Sequence, residues 1–238
     1  MRMYFRPLLL LLFISTAHSQ WTDFELDQAS PEIFKKQIAP LLRGTALALA
    51  YPPSFDHSQE HRLKLGVAYI PSIFTKEQDF ASDHLKALPF FKTAVVVTSN
   101  ILVTGKFGSL RSKNDIVHSA SYGFNLRISN KDENNWYLST QFGRLSGPED
   151  VGMRAMSFQL NKEFSFARVL FSAGAGVNAY KARIKISDIE GIPTIIKDQT
   201  NYLILGISYQ WHSLKLGVAS QFHQELVNVT TSLAWSIY

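Results

Sequence analysis

Along most of the chain apolar residues recur at every second position, the period of a β-strand whose two faces meet different surroundings. From Gln199 to Tyr238 three such stretches follow one another with room only for tight turns. Leu203, Leu205, Ile207, Tyr209 and Trp211 share one face, opposite Gly206, Ser208 and Gln210. Leu214, Leu216, Val218 and Phe222 stand opposite Lys215, Gly217, Ala219 and Gln221. Val227, Val229, Leu233, Trp235 and Ile237 stand opposite Asn228, Thr230, Ser232, Ala234 and Ser236. The same alternation predicts strands over 61–70, 116–128, 135–145, 154–164 and 167–184. Segment 90–108 exceeds the ~9–11 residues of one tilted crossing, and Ser99-Asn100 is the turn expected to divide it. The count comes to about ten strands, in a range of eight to twelve.

One stretch has a helical period instead. Ser30-Pro31-Glu32 offers an N-cap, a proline at the first helical position and an acid in the first turn. Ile33, Phe34, Ile38, Leu41 and Leu42 then fall on one side. The spacing predicts a helix over 31–43, kinked or shortened at Pro40 and ended by Gly44. Residues 45–51 alternate Leu47, Leu49 and Tyr51 against alanines, and fit either a strand or a continuation of the helix before Pro52-Pro53. Such a helix is a packing element, a plug or a periplasmic lid.

The two faces of the strands decide the solvent. One carries Ser119, Ser121, Gly123 and Asn125, then Ser139, Gln141 and Gly143, then Ser157, Gln159 and Asn161, then Ser172, Gly174, Gly176 and Asn178. These are small and uncharged, suited to the crowded lumen of a narrow barrel rather than to bulk water. The other carries Tyr122, Phe124, Leu126, Leu138, Phe142, Met156, Phe158, Leu160, Val169, Phe171 and Val177, a lipid-facing band. The fold class expected is all-β: an antiparallel up-and-down transmembrane β-barrel with a short N-terminal helix. With a periplasmic N-terminus, Trp136, Trp211 and Trp235 all fall on the apolar face at the periplasmic rim, as an aromatic girdle does. Loops 71–89, 146–153 and 185–198 then face outward, with 99–100 and 211–214 inward.

Composition adds the compartment. Arg2 and Arg6, the apolar run Leu8–Ile14 and the small-x-small site Ala17-His18-Ser19 form a secretory signal peptide. The organisation expected is signal peptide 1–19, an N-terminal segment with its helix over 20–43, and a barrel over 44–238. Two of the 24 basic residues lie in the signal, so the exported chain keeps a small positive excess over its 19 acids, too mild to argue for nucleic acid. The chain has no cysteine, which excludes disulfides, thiolate metal sites and a lipidated cysteine.

The order of signal peptide, amphipathic helix, glycine and alternating strands resembles outer-membrane barrels of Gram-negative bacteria. IFKKQIAPLLRGTALALAYPP followed by HRLKLGVAYIP looks like the start of an uncharacterised family of such proteins, and AVVVTSNILVTGKFG is similar to its later hairpin. The resemblance implies the cell outer membrane, with membrane lipid, lipopolysaccharide and the barrel-assembly machinery as partners, and implies no activity. Barrels of this kind end in an outward-facing aromatic residue, whereas Tyr238 falls inward by parity with Trp235 and Ile237.

Candidate chemistry is sparse. His118 precedes Ser119 and Ser121, but alternation puts the histidine and the serines on opposite sides of the wall, so no nucleophile–base pair is expected. His57, His61, His84, His212 and His223 show no metal-ligand spacing, and neither metal nor cofactor is expected. Arg127, Glu163 and Lys215 lie on the polar face near the periplasmic ends of their strands, as do Arg62, Lys64 and Arg168. Glu163 is thus expected to pair with Arg127 or Lys215 and close the mouth. The function expected is a structural or passive binding role without catalysis. The alternatives are a plugged barrel passing small hydrophobic molecules and a soluble lipocalin-like binder.

Overall fold

A computed structural model describes residues 39–55, 62–74, 88–112, 115–129, 134–147, 151–185 and 193–237. Its elements are a helix, α1 (Ala39–Leu49), and the strands β1 (Leu63–Ile70), β2 (Ser72–Phe74), β3 (Leu88–Val96), β4 (Ile101–Ser112), β5 (Asp115–Arg127), β6 (Asn134–Ser146), β7 (Val151–Phe166), β8 (Val169–Ile184), β9 (Ile195–Trp211), β10 (Leu214–Phe222) and β11 (Leu226–Ser236). From β3 onward each strand pairs antiparallel with the next. β1 closes the ring by pairing β3 on one side and β11 on the other, with Leu65 opposite Trp235. β2 continues β1 along β11, placing Ser72 opposite Asn228. The interruption is Pro71, which lacks an amide donor but whose carbonyl still accepts from Val229 N at 3.0 Å. The sheet is therefore a closed barrel of ten staves.

One end of the barrel joins its strands at 97–100, 128–133, 167–168 and 212–213; the other joins them at 113–114, 147–150 and 223–225 and also carries the two longest connections, 75–87 and 185–194. We call these the turn end and the loop end. At the turn end Ala167 and His212 adopt left-handed backbone (φ 52° and 56°), which two-residue hairpins demand even without glycine.

The faces sort as alternation predicts. Ser119, Ser121, Asn125, Ser139, Gln141, Ser157, Gln159 and Asn178 are buried in the lumen. Tyr122, Phe124, Phe142, Phe158, Leu160, Phe171, Leu203 and Leu205 are exposed on the outside. Tyr122 and Phe142 stack there, ring centroids 5.6 Å apart. Toward the loop end the lumen departs from the expected polar lining. Ile70, Phe90, Val117, Leu145, Val151, Met153, Ala182 and Ile184 point inward and pack around Leu42, Ala46 and Leu49 of α1.

The helix corrects the sequence reading. Gly44 does not end it; α1 passes through Gly44 and takes in residues 45–49, so that stretch is helix and not strand. A mid-helix glycine costs only ~1 kcal/mol, less than the burial of Leu47 and Leu49 contributes. The stop comes at Leu49, ahead of Pro52-Pro53, since the residue before a proline avoids helical backbone. Residues 31–38, the signal segment and Tyr238 lie outside the described residues.

Candidate functional site

α1 lies inside the barrel, and Leu42 and every residue from Gly44 to Ala50 are buried. Gly143 makes room for it: a Cβ there would stand 2.6 Å from Leu49 Cγ and 2.9 Å from the Leu49 carbonyl oxygen. Four carbonyls along the second half of α1 and just past it accept from the barrel wall; Ala46 also takes the Ala50 amide at 3.0 Å, whereas Ala48 is one that the helix end leaves without an intrahelical partner. Asn228 Nδ2 on β11 donates to the Gly44 carbonyl at 3.2 Å, and Asn178 Nδ2 on β8 to Ala46 at 3.1 Å. Lys106 Nζ on β4 donates to Ala48 at 2.9 Å, and Ser157 Oγ on β7 to Ala50. Four staves thus hold four consecutive even-numbered carbonyls. The chain then descends toward the turn end, where Asn125 Nδ2 donates to Pro53, Lys92 Nζ to the Ser54 carbonyl at 3.3 Å, and Lys215 Nζ to Ser54 Oγ at 3.3 Å.

The opposite end of α1 is tied by charge. Arg43 Nε donates to Asp198 Oδ2 at 2.6 Å, and Arg43 Nη1 to Glu225 Oε2. Asp198 lies near the start of β9 and Glu225 sits in the β10–β11 turn, so both acids belong to the loop end. His223 shares that turn and accepts from the Glu225 amide at 3.3 Å through Nδ1. Burial, its largest influence, holds His223 below its usual pKa despite the nearby Glu225.

Four lysines point inward from one side of the ring: Lys215 on β10 and, beyond β11, Lys64 on β1, Lys92 on β3 and Lys106 on β4, none more than 6% exposed. Lys92 and Lys106 are register partners. Burying ammonium groups side by side costs several kcal/mol each unless compensated. Lys106 is compensated by the Ala48 carbonyl at the end of α1, where a helix carries partial negative charge, and Lys92 and Lys215 bond the carbonyl and hydroxyl of Ser54 just beyond it. Rings add to it, with Lys92 Nζ 4.8 Å from the Phe55 centroid and Lys106 Nζ 4.4 Å from that of Phe90. Below α1 a cavity of ≈ 40 Å³ remains, lined by Lys92, Lys106, Lys215, Glu163, Tyr51 and Ser54 among others. It has room for a few waters.

Of the lumen charges expected from sequence, Glu163 and Lys215 line this one cavity, while Arg127 on β5 is not among its lining residues. Lys92, Lys106, Arg43, Asp198 and Glu225 were missed. Parity alone would have placed the two lysines inward beside Phe90, Ala94, Leu102 and Thr104. Trp136, Trp211 and Trp235 are all outward and at least 40% exposed. Trp211 and Trp235 both register with Leu214 and so stand level at the turn end. Trp136 begins β6 at the same end, with Lys162 Nζ 5.6 Å from its ring. His118 is outward and Ser119 inward, as expected. The neighbour of His118 across the strands is Ser109, whose Oγ stands 3.1 Å from Nδ1. Among the described residues no third group orients that exposed pair.

No family model and no curated protein matches the chain. Solved barrels do. The translocator domain of the autotransporter NalP from Neisseria meningitidis aligns over 85% of this chain and 95% of its own, at 9% identity and a TM-score of 0.48. An outer membrane channel from Pseudomonas putida aligns over 77% and 98%, at 10% identity and 0.44. The outer membrane protein Ail of Yersinia pestis aligns over 74% and 99%, at 12% identity and 0.36. The likeness is one of barrel architecture, and function has to be argued from the residues.

Proposed function

We propose that the protein is an integral outer-membrane β-barrel whose pore is closed at rest by its own helix α1 and opens to small polar solutes when that helix yields. Membrane placement is supported by the exposed aromatic and aliphatic band around the staves, the reverse of a soluble lipocalin-like barrel, which buries its apolar face. Short turns face the periplasm in such barrels and longer loops the exterior, so the turn end with its tryptophans is periplasmic. The reading is carried by one observation: α1 fills the lumen, and four carbonyls between Gly44 and Ala50 accept hydrogen bonds from side chains of four separate staves. A polar, lysine-bearing wall suits polar or anionic solutes better than the hydrophobic cargo that the sequence left open.

A static barrel, with α1 as permanent core, is favoured by the apolar packing around Leu42 and Leu49. Bilayer recordings separate the two. The full chain should be closed with brief openings, and a variant lacking residues 20–54 should conduct continuously with anion preference. A folded, heat-modifiable variant that conducts no better than the full chain would refute the plug.

A further inference from the structure

The barrel's outward cations are gathered on one flank. Arg144 on β6 registers with Arg154 on β7, Arg154 with Lys181 on β8, and Lys181 with Lys197 on β9. All four are exposed, on the outer wall, and within a few residues of the loop end of their strands. Arg183, one outward position farther along β8, is exposed as well. Inward and outward cations divide cleanly around the ring. On β10, β1, β3 and β4 the buried lysines point into the lumen, whereas on β6 to β9 these four point away from it.

Directly opposed like charges destabilise a sheet, and this row opposes them three times running. Nothing described offsets the repulsion: the ion pairs described are Arg43's, and the outward neighbours of the row are Ala120, Phe142, Met156, Ala179 and Gln199. Successive staves lie ~4.8 Å apart, so four of them spread the cations over roughly 14 Å. That span and the pairing of arginines with lysines suit several phosphate oxygens at once, which arginine holds bidentately. Immediately toward the turn end the wall becomes apolar at Phe142, Phe158 and Leu203. A ligand there meets cations at its head and hydrocarbon at its tail.

We infer that Arg144, Arg154, Lys181 and Lys197 form a docking site for a phosphate-bearing glycolipid of the membrane's outer leaflet. The inference rests on the outer-membrane reading, because only that placement sets the row at headgroup level. The site fixes which flank of the barrel carries bound lipid and leaves β10, β11, β1 and β3 free of it.

The test uses the full chain, with lipid retained on the folded barrel counted by native mass spectrometry. The probes are lipid A, a bis-phosphorylated glycolipid, and its enzymatically dephosphorylated form. The wild type should retain the phosphorylated form ~tenfold more, about 1.4 kcal/mol. Arg144→Gln/Arg154→Gln/Lys181→Gln/Lys197→Gln should lose the preference while staying heat-modifiable. Arg154→Gln/Lys181→Gln serves if the fourfold variant does not fold. Arg62→Gln/Lys162→Gln, at the turn end, should keep the preference. Equal retention of both lipids by the wild type, or an intact preference in the folded variants, overturns the inference. So does displacement of the lipid by excess inorganic phosphate, which would make this a free-anion site. A chain that enters no bilayer removes the membrane reading and the inference with it, whereas an inserted barrel without lipid preference removes the inference alone.

Discussion

Gly143→Ala tests the plug without touching a charge or a hydrogen bond. Its Cβ would stand 2.6 Å from Leu49 Cγ, 2.9 Å from Leu49 O and 3.1 Å from Leu49 C. The carbon of the side chain can swing aside, but the two backbone atoms belong to the end of α1 and move only if the helix does. The wall is the stiffer partner, since β6 is paired on both sides within a closed ring. Overpacking of this kind costs ~1–3 kcal/mol, here charged to the closed state alone. The open fraction should therefore rise roughly 5–150-fold. Because the chain has no native cysteine, a single Ala46→Cys reports opening by its rate of reaction with a small thiol reagent. Ala46 is fully buried when α1 is seated. Gly105→Ala is the control, because its Cβ meets Thr93 Cγ2 at 3.2 Å and Ser121 O at 3.8 Å, away from α1. Labelling of Ala46→Cys at the same rate in the Gly143→Ala and wild-type backgrounds would refute the plug geometry.

Two further outcomes concern the loop end. Arg43→Gln should raise the labelling rate of Ala46→Cys by about tenfold, since it removes two charge-assisted bonds and leaves Asp198 facing Glu225. The half-exposed setting of the three groups keeps the expected loss to ~1–2 kcal/mol. Labelling that stays at the wild-type rate would show that Arg43 holds nothing. His223 gives the pH dependence: its pKa is lowered in the closed state, so the stability it contributes is present above the unfolded value near 6.5 and is lost as pH falls below it. Opening should accordingly increase between pH 7.5 and 5.5, and His223→Gln should flatten that rise. A rise of the same size in His223→Gln assigns it to other groups.

The barrel was legible in the sequence because a period of two is the one signal that both walls obey. Ser119 against His118, and Gln141 against Phe142, sort to opposite sides by parity alone, and the closing triplet's turns follow from its spacing. The helix was harder to read. Residues 45–51 alternate leucine and alanine like a strand, but in α1 both kinds are buried, since the barrel surrounds the helix and leaves it no solvent face. Amphipathic periodicity presupposes such a face, and its absence erased the signal. The site was hidden for a related reason. Lys92 and Lys106 sit mid-strand, among apolar neighbours, and their role depends on α1's carbonyl end reaching their level. That relation joins residues far apart in the chain, so no local pattern records it. Asp198 and Glu225 lie more than 150 residues from Arg43 in the chain and meet it only because β9 and the β10–β11 turn come together at the loop end, which no local pattern records either.

The distribution of charge along α1 also accounts for the direction in which the plug should leave. Its carbonyl end, toward the turn end, is held by Lys106 and the side-chain amides in a buried setting where such bonds are strongest, and the chain just beyond it is held at Ser54 by Lys92 and Lys215. Its Arg43 end is held by two acids that are 31% and 41% exposed, so water competes for them. The weaker attachment therefore faces the loop end, and the apolar contacts of Leu42 with the loop-end lining are what oppose release there. The turn end should open last, because three lysines brought together without the carbonyls of residues 48 and 54 would repel one another in the lumen. On the proposed opening, that same repulsion would give an entering anion its place: it would substitute for the departing carbonyls, and the lysines that lock the helix would draw the solute through.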